Sequence, residues 1–301
     1  MQGFVEFCKK EYPNLNVLLN EPMNRHTTFR IGGPADAYVE VNSDEALGII
    51  SYCKTHVIPF TIMGNGSNVL ISDKGIEGVV ISFGSSVSRI EVKGDVIKAE
   101  AGALLSKIAN VALENGLTGF EWASGIPGSI GGAVVMNAGA YGGEMKDVIM
   151  SATILQPDGD VLELGTEELE LSYRHSCVED RQYVVLDVTI KLEPGDKNAI
   201  IAKMDELKEK RLAKQPVDKP SAGSTFKRPD GYFAAALIDE ASMRGESIGD
   251  AMVSEKHTGF VINNGNATCE DVLSLMGLIK ESVYTTSGVM LEPEVKIIGR
   301  F

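Results

Sequence analysis

Two glycine-rich stretches carry the first chemical signal in this 301-residue chain. One is GNGSN at 64–68. The other runs from Gly119 to Asp147, where Gly119, Gly125, Gly128, Gly131, Gly132, Gly139, Gly142 and Gly143 strip the backbone of side chains around the chain's single Trp. Bare main chain of this kind can lie directly against a flat or extended ligand. In GNGSN, successive N–H groups around Gly64 and Gly66, aided by Ser67 and Asn68, can form a nest that accepts phosphate oxygens without net positive charge. The loop is not a Rossmann or Walker fingerprint, because the residues that come next, VLIS, read as a strand and not as a helix. Taken singly, each stretch is also compatible with a tight turn that binds nothing.

The elements around these loops are set by periodicity. Residues 4 to 20 read as a helix and its exit, interrupted at Pro13 and Asn14. Polar turn residues then lead through Thr28, Phe29 and Arg30 to a Gly-Gly-Pro turn and an alternating strand from Ala37 to Val41. Ser43 is placed to cap a helix from Asp44 to about Thr55, with Leu47, Ile49 and Ile50 on its apolar side. FTIM enters the first glycine loop and VLIS and GVVISF leave it, which gives strand, loop, strand. Alternating runs on either side of Gly94-Asp95 predict a hairpin. A helix from Leu104 to Asn115 ends at Gly116. After the long glycine stretch, VIMSATILQ and DVLEL flank a Pro157-Asp158-Gly159 turn, and YVVLDVTIKLEP forms a further long strand. A helix from Asn198 to about Leu212, with Ile200, Ile201, Met204 and Leu207 on one face, connects to the last third.

Composition limits the partners. Lys and Arg number 28 against 42 Asp and Glu, a net charge of -14 that disfavours nucleic acid and anionic membranes and leaves any anionic ligand to local donors. The N-terminal MQGFVEFCKKEYP has no long apolar run, and no span of ~18 apolar residues comes after it. A cytoplasmic protein with small-molecule partners is expected, with no nucleic acid and no membrane among them. Cys8, Cys53, Cys177 and Cys269 show neither CxxC nor Cys/His ligand spacing, and the four histidines share no triad or metal spacing, so no metal is expected.

In order along the chain stand TTFRIGGPAD, GNGSNVL, GIPGSIGGAVVMNAGAYG, YRHS, SAGSTFKRP and LEPEVKIIG. Together they resemble the UDP-N-acetylenolpyruvoylglucosamine reductase family, from about Asn24 to Gly299. The resemblance implies an α+β fold: a two-subdomain FAD-binding fold of the vanillyl-alcohol oxidase type, residues 1–80 and 81–204, and a C-terminal α+β substrate-binding domain, residues 205–301. It implies non-covalent FAD, with NADPH as co-substrate and a UDP-N-acetylglucosamine enolpyruvate substrate. The product would be UDP-N-acetylmuramate for peptidoglycan, hence cell wall biogenesis, cell shape and division.

The resemblance also assigns residues. Gly64, Asn65, Gly66, Ser67 and Asn68 would approach the FAD pyrophosphate. Ser124, Gly125, Ile126, Pro127, Gly128, Ser129, Gly131 and Gly132 would pass along the ribityl chain and isoalloxazine. Asn137 and Ala138 would continue that wall, and Arg30 would add positive charge. Arg174 would hold and polarise the substrate carboxylate, and Ser224 would protonate the enolate. Glu294 would act with Arg174 on the enolic intermediate. Glu292 and Glu294 sit at strand spacing with the same facing, so the pattern alone does not choose between them; the family motif selects Glu294. Tyr173, Arg211, Lys214, Lys227, Arg228 and Lys296 are substrate-binding candidates, with Arg211 and Lys296 ranked first. Arg174 and Ser224 lie too close in sequence to hold the lid with its Tyr found in some members, so the chain resembles the compact form. Which residue replaces that Tyr stays open.

Overall fold

A computed structural model describes residues 1–301. The chain divides into two compact units. The first comprises 1–18, 38–65 and 79–210, the second 19–37, 66–78 and 211–301. Segments 19–37 and 66–78 are thus grouped with the C-terminal third.

In the first unit, helix α1 (Gln2–Glu11) buries Phe4 and Cys8. Helix α2 (Ser43–Thr55) is capped by Asn42 rather than by Ser43: the Asn42 side chain accepts from the Glu45 N–H at 2.9 Å while the Glu45 carboxylate accepts from the Asn42 N–H at 2.8 Å. This reciprocal box satisfies two end donors, which a cap at Ser43 would not have done. Ala46, Ile49, Ile50 and Cys53 form its buried face, and Leu47 is only half-buried. Strand Phe60–Met63, which leads into the first glycine loop, pairs in parallel with Val79–Ser82.

The main sheet of this unit has five antiparallel strands, in the order Val161–Gly165, Ile149–Leu155, Val184–Lys191, Val96–Glu100 and Ile90–Lys93. Both expected hairpins are there, and Val184–Lys191 runs through the middle with Val188 and Ile190 fully buried. Helix α3 (Leu105–Glu114) buries Leu105, Ile108, Ala109 and Ala112 and ends where Gly116 takes φ +65°. Helix α4 (Ile130–Val135) packs on the Val184–Lys191 strand. Gly131 permits that approach: its N–H donates to Ala101 O at 2.9 Å, and a Cβ there would lie 2.8 Å from Ala101 Cβ. Helix α5 (Cys177–Asp180) precedes the central strand. Helix α6 (Lys197–Lys214) carries the chain out of the unit and buries only Ile200 and Leu207. Ile201, expected on that face, is 44% exposed, because a connecting helix has only a narrow stripe to bury.

In the second unit, helices α7 (Ala234–Glu240) and α8 (Cys269–Ser287) pack together. Three short strands accompany them, Ser247–Ile248, Ala251–Val253 and Val261–Asn263. The core joins Phe29, Ile31 and Leu70 to residues of the C-terminal third such as Phe226, Leu237, Leu275 and Val295. Lys296–Ile298 pairs in parallel with Val69–Ile71. The Asp73 carboxylate accepts the first N–H groups of α8, from Cys269 at 2.8 Å and Glu270 at 3.1 Å, where the helix end carries partial positive charge.

Candidate functional site

The two glycine-rich stretches meet in the first unit. Asn65 Nδ2 donates to Pro127 O at 2.6 Å, and the α-carbon of Gly64 faces Ser129 Oγ so closely that a Cβ would collide with it. Ile130 N–H to Ala103 O at 2.9 Å and Leu105 N–H to Gly128 O at 3.0 Å fix the second loop at its far side. Gly64 and Gly131 are therefore glycines for packing of loop on loop and helix on strand. Gly125, Pro127 and Gly132 are exposed, and a Cβ on Gly132 would meet nothing nearer than Ser129 Oγ at 3.6 Å. That leaves an open strip of backbone beside the Asn65 clasp. Its shape and polarity suit a flat group with an extended chain, so these residues fit FAD. Ser124 Oγ donates to Glu121 O at 2.7 Å, Ile126 is half-buried, and Ser129 is buried.

Asn137 and Ala138 are also buried, Asn137 completely. The Asn137 side chain turns inward, its Nδ2 donating to Ser172 O at 3.0 Å and its Oδ1 accepting from Lys146 N–H at 2.9 Å. Its amide is therefore spent on the protein's own backbone. The Ser172 carbonyl it holds begins the tight turn carrying Tyr173 and Arg174, closed by Ser172 N–H to His175 O at 3.1 Å and His175 N–H to Ser172 O at 3.2 Å. Arg174 sits there at φ +54°, a left-handed position usually given to Gly or Asn. Its Nη2 donates to Gly139 O at 3.3 Å, and its guanidinium carbon lies 5.1 Å from the centre of the half-exposed Tyr173 ring.

In the second unit, Gly66 O accepts from Thr28 N–H at 3.1 Å, and a Cβ on Gly66, at φ +61°, would collide with His26 O. Arg30 is exposed and lines a cleft of about 430 Å³ with Asn24, Asp73, Asn263 and Asn266. Ser224 comes directly after Gly223, whose φ of +77° suits glycine. Beyond Ser224 the chain pairs with the C-terminal motif: Glu294 N–H donates to Thr225 O at 2.9 Å and Lys227 N–H to Glu292 O at 2.8 Å, around an antiparallel Phe226–Pro293 bridge. Thr225 is thereby set opposite Glu294, with Ser224 one residue before that pair.

The two glutamates do not share a facing. Glu294 is 8% exposed, whereas the Glu292 side chain is 77% exposed and pairs with Lys227 Nζ at 3.8 Å. The expected regular strand through both is replaced by a single bridge at Pro293, and strand geometry begins only at Lys296. Asn68 joins the cluster, with Nδ2 donating to Glu294 O at 3.2 Å and its carbonyl accepting from Lys296 N–H at 2.9 Å. The remaining basic candidates share this unit. Arg211 donates to Gln215 Oε1 at 3.3 Å, Lys214 is exposed, and the Arg228 guanidinium stacks over Phe233 at 4.5 Å.

The contacts that fix Thr225, next to Ser224, were not legible in the sequence. Thr225 Oγ1 accepts from Val261 N–H at 2.9 Å, and Thr225 N–H donates to Gly259 O at 2.8 Å. Gly259 N–H in turn donates to His257 Nδ1 at 3.1 Å. Burial holds the His257 imidazole below its ordinary pKa, helped by the charges of Arg244 and Lys214. These partners lie more than 30 positions from Thr225, so no local pattern marks them.

A family model described as a FAD binding domain matches residues 35–165, a span that contains both glycine-rich stretches. A second, the C-terminal domain of UDP-N-acetylenolpyruvoylglucosamine reductase, matches residues 215–298, which hold Ser224 and Glu294. The UDP-N-acetylenolpyruvoylglucosamine reductase of Agathobacter rectalis is 52% identical over 312 residues, covering 100% of this chain and 99% of its own. The chain belongs to the UDP-N-acetylenolpyruvoylglucosamine reductase family. The reductase of Caldanaerobacter subterraneus subsp. tengcongensis is 54% identical over 93% of each chain. Among solved structures, the reductase from Thermus caldophilus superposes with a TM-score of 0.82 at 34% identity, covering 94% of this chain and 98% of that one. A BBE-like protein of Physcomitrella patens, at 14% identity and a TM-score of 0.50, shares the fold over 63% of this chain. The expected α+β fold, a FAD-binding fold of the vanillyl-alcohol oxidase type followed by a C-terminal α+β domain, is borne out, and the chain is a flavoprotein oxidoreductase of this reductase family.

Proposed function

We propose that this reductase converts UDP-N-acetylglucosamine enolpyruvate to UDP-N-acetylmuramate, with NADPH as reductant, for peptidoglycan precursor synthesis in the cytoplasm. No helix is long and apolar enough to cross a membrane. FAD, when bound, supplies hydride transfer from NADPH to the substrate. The observation that supports the reading is the pairing of 225–227 with 292–294, which joins the segment that follows Ser224 to the segment that carries the buried Glu294.

In this reading the open backbone at Gly125, Pro127 and Gly132 binds the cofactor with the Asn65 clasp, and Gly66, Ser67, Asn68 and Arg30 hold its phosphates. Arg174 orients the substrate carboxylate and stabilises negative charge on it as hydride arrives at the methylene carbon. The Ser224 hydroxyl gives its proton to the neighbouring carbon, producing the lactyl ether. Glu294 stabilises the enolic intermediate from a site with little water, where an electrostatic interaction is strong. Arg211, Lys214, Lys227, Arg228 and Lys296 provide charge-assisted donors for the UDP phosphates, with Tyr173 a further substrate contact. Residues 1–80 and 81–204 act as the FAD-binding subdomains and 205–301 as the substrate domain.

The test is anaerobic absorbance of the purified protein. NADPH bleaches the flavin bands and the enolpyruvyl sugar nucleotide restores them without oxygen. In Ser224→Ala the first step survives and the second fails. A protein that neither contains nor takes up FAD overturns the proposal, and bleaching reversed only by O2 replaces it with an oxidase.

A further inference from the structure

Asn137 occupies a position where glycine is the ordinary choice. Helix α4 ends in a six-residue reverse turn, with Ala138 N–H bonded to Ala133 O at 2.8 Å and Asn137 N–H to Val134 O at 3.2 Å, and Asn137 is the left-handed residue at φ +42°. Asparagine is the tolerated alternative to glycine there, so a side chain at this point calls for a use. Its use is visible. Both ends of the amide are engaged inside the protein: Oδ1 holds Lys146 N–H, beyond the Gly139–Glu144 loop, and Nδ2–H holds Ser172 O, the first carbonyl of the turn that carries Arg174.

Arg174 itself is left-handed, at φ +54°. Such a conformation costs a bulky residue energy and persists only where the surroundings impose it. Two buried clamps do so from the end of α4. One is the Asn137 amide on Ser172 O; the other is Ser176 Oγ–H donating to Val135 O at 2.7 Å, with Ser176 completely buried. The same Ser172 carbonyl also accepts the His175 N–H that closes the turn, and the Arg174 guanidinium reaches Gly139 O, two residues along from Asn137.

We infer that Asn137 is a positioning residue for Arg174, its side-chain amide locking the strained turn so that the guanidinium is presented in one orientation to the substrate carboxylate. This rests on the catalytic role proposed for Arg174. Misplacing a positioned group by ~1 Å can cost up to ~100-fold in rate.

The experiment uses Asn137→Gly, which keeps the left-handed backbone and the helix end while deleting the amide. Asn137→Asp, which keeps the acceptor for Lys146 N–H but loses the donor to Ser172, is the second variant. The expected result has three parts. Any slowing of flavin reduction by NADPH is smaller than the slowing of reoxidation. Reoxidation by the enolpyruvyl sugar nucleotide slows ~10–100-fold in both variants. Amide hydrogen exchange over 172–176 accelerates, most at His175. In an Arg174→Ala background, Asn137→Gly then produces no further slowing, since nothing is left to position. A loss that persists additively in that background overturns the inference, as does unchanged exchange over 172–176. If neither Asn137 variant yields folded holoprotein, Asn137 is a residue of the fold and the positioning role is overturned. An Arg174→Ala single variant with parental reoxidation fails the proposed role of Arg174 first, and is read separately from any Asn137 result.

Discussion

Replacing Glu292 and Glu294 by glutamine, one at a time, separates two carboxylates that the sequence treats alike. Glu292 is 77% exposed, and its contact with Lys227 is 3.8 Å long in solvent. At that separation the attraction in water is ~1 kcal/mol, and exposed pairs measure ~0–1 kcal/mol. Even if all of it acted only in the transition state, its loss would slow the reaction about fivefold. Glu294 is 8% exposed, with its backbone tied to Thr225 and Asn68. A positioned electrostatic group in such an enclosure is worth ~10²–10³ in rate, ~2.7–4 kcal/mol. Glutamine preserves its shape and leaves both backbone bonds in place. The assay is stopped-flow absorbance under anaerobic conditions, with flavin prereduced by NADPH and mixed with the enolpyruvyl sugar nucleotide. We expect Glu294→Gln to be at least ~20-fold slower than Glu292→Gln in this step, with the NADPH step unchanged in both. Equal losses, or a larger loss at Glu292, would refute the argument from burial.

Gly131→Ala and Gly132→Ala are neighbouring changes with opposite expected signs. At Gly131 the new methyl would stand 2.8 Å from Ala101 Cβ and 3.0 Å from Ala101 O, an overpacking of ~1–3 kcal/mol that exceeds the ~1 kcal/mol gained in helix propensity. At Gly132 the methyl has room. Thermal unfolding of apoprotein is therefore expected to fall for Gly131→Ala and rise for Gly132→Ala, while FAD titration shows Gly132→Ala binding the cofactor more weakly; unaltered FAD affinity would remove Gly132 from the cofactor surface. His257 gives a pH dependence. Its folded pKa is depressed, chiefly by burial, so the unfolded chain takes up the proton first. Stability is whole above the ordinary value of 6.5 and declines as pH falls from there toward the depressed folded value. Denaturant unfolding between about pH 7.5 and 5 should show that decline, flattened in His257→Gln; an equal slope in the variant would assign the loss elsewhere. All four cysteines are buried, and burial pushes Cys8 to about 11 and Cys53 and Cys269 to about 12. Native protein should react negligibly with a thiol reagent at neutral pH until denaturant is added, and rapid labelling of any one would show that its segment opens.

Much of the fold is written in local pattern. Alternation and the turns at Gly94-Asp95 and Pro157-Asp158-Gly159 specify two hairpins of the main sheet, and Gly116 ends α3 because glycine takes φ +65° without strain. The order of motifs carries the family and, through the family, the proposed cofactor loops and the proposed trio Arg174, Ser224 and Glu294. Tertiary contact decided what periodicity does not encode. The grouping of 19–37 and 66–78 with the C-terminal third comes from a core that joins Phe29 and Leu70 to residues about 200 positions away. Asn137 reads as cofactor wall in the sequence, yet its amide is used by Lys146 and Ser172, a hydrogen-bonding partnership that no spacing rule predicts. Glu292 and Glu294 were indistinguishable at spacing two. What separates them is the non-strand backbone around Pro293 and the pairing with Thr225 and Lys227, which bury one carboxylate and leave the other in water. A sequence states which groups are present, whereas the environment of each group, and so its chemistry, comes from residues the chain brings back from afar.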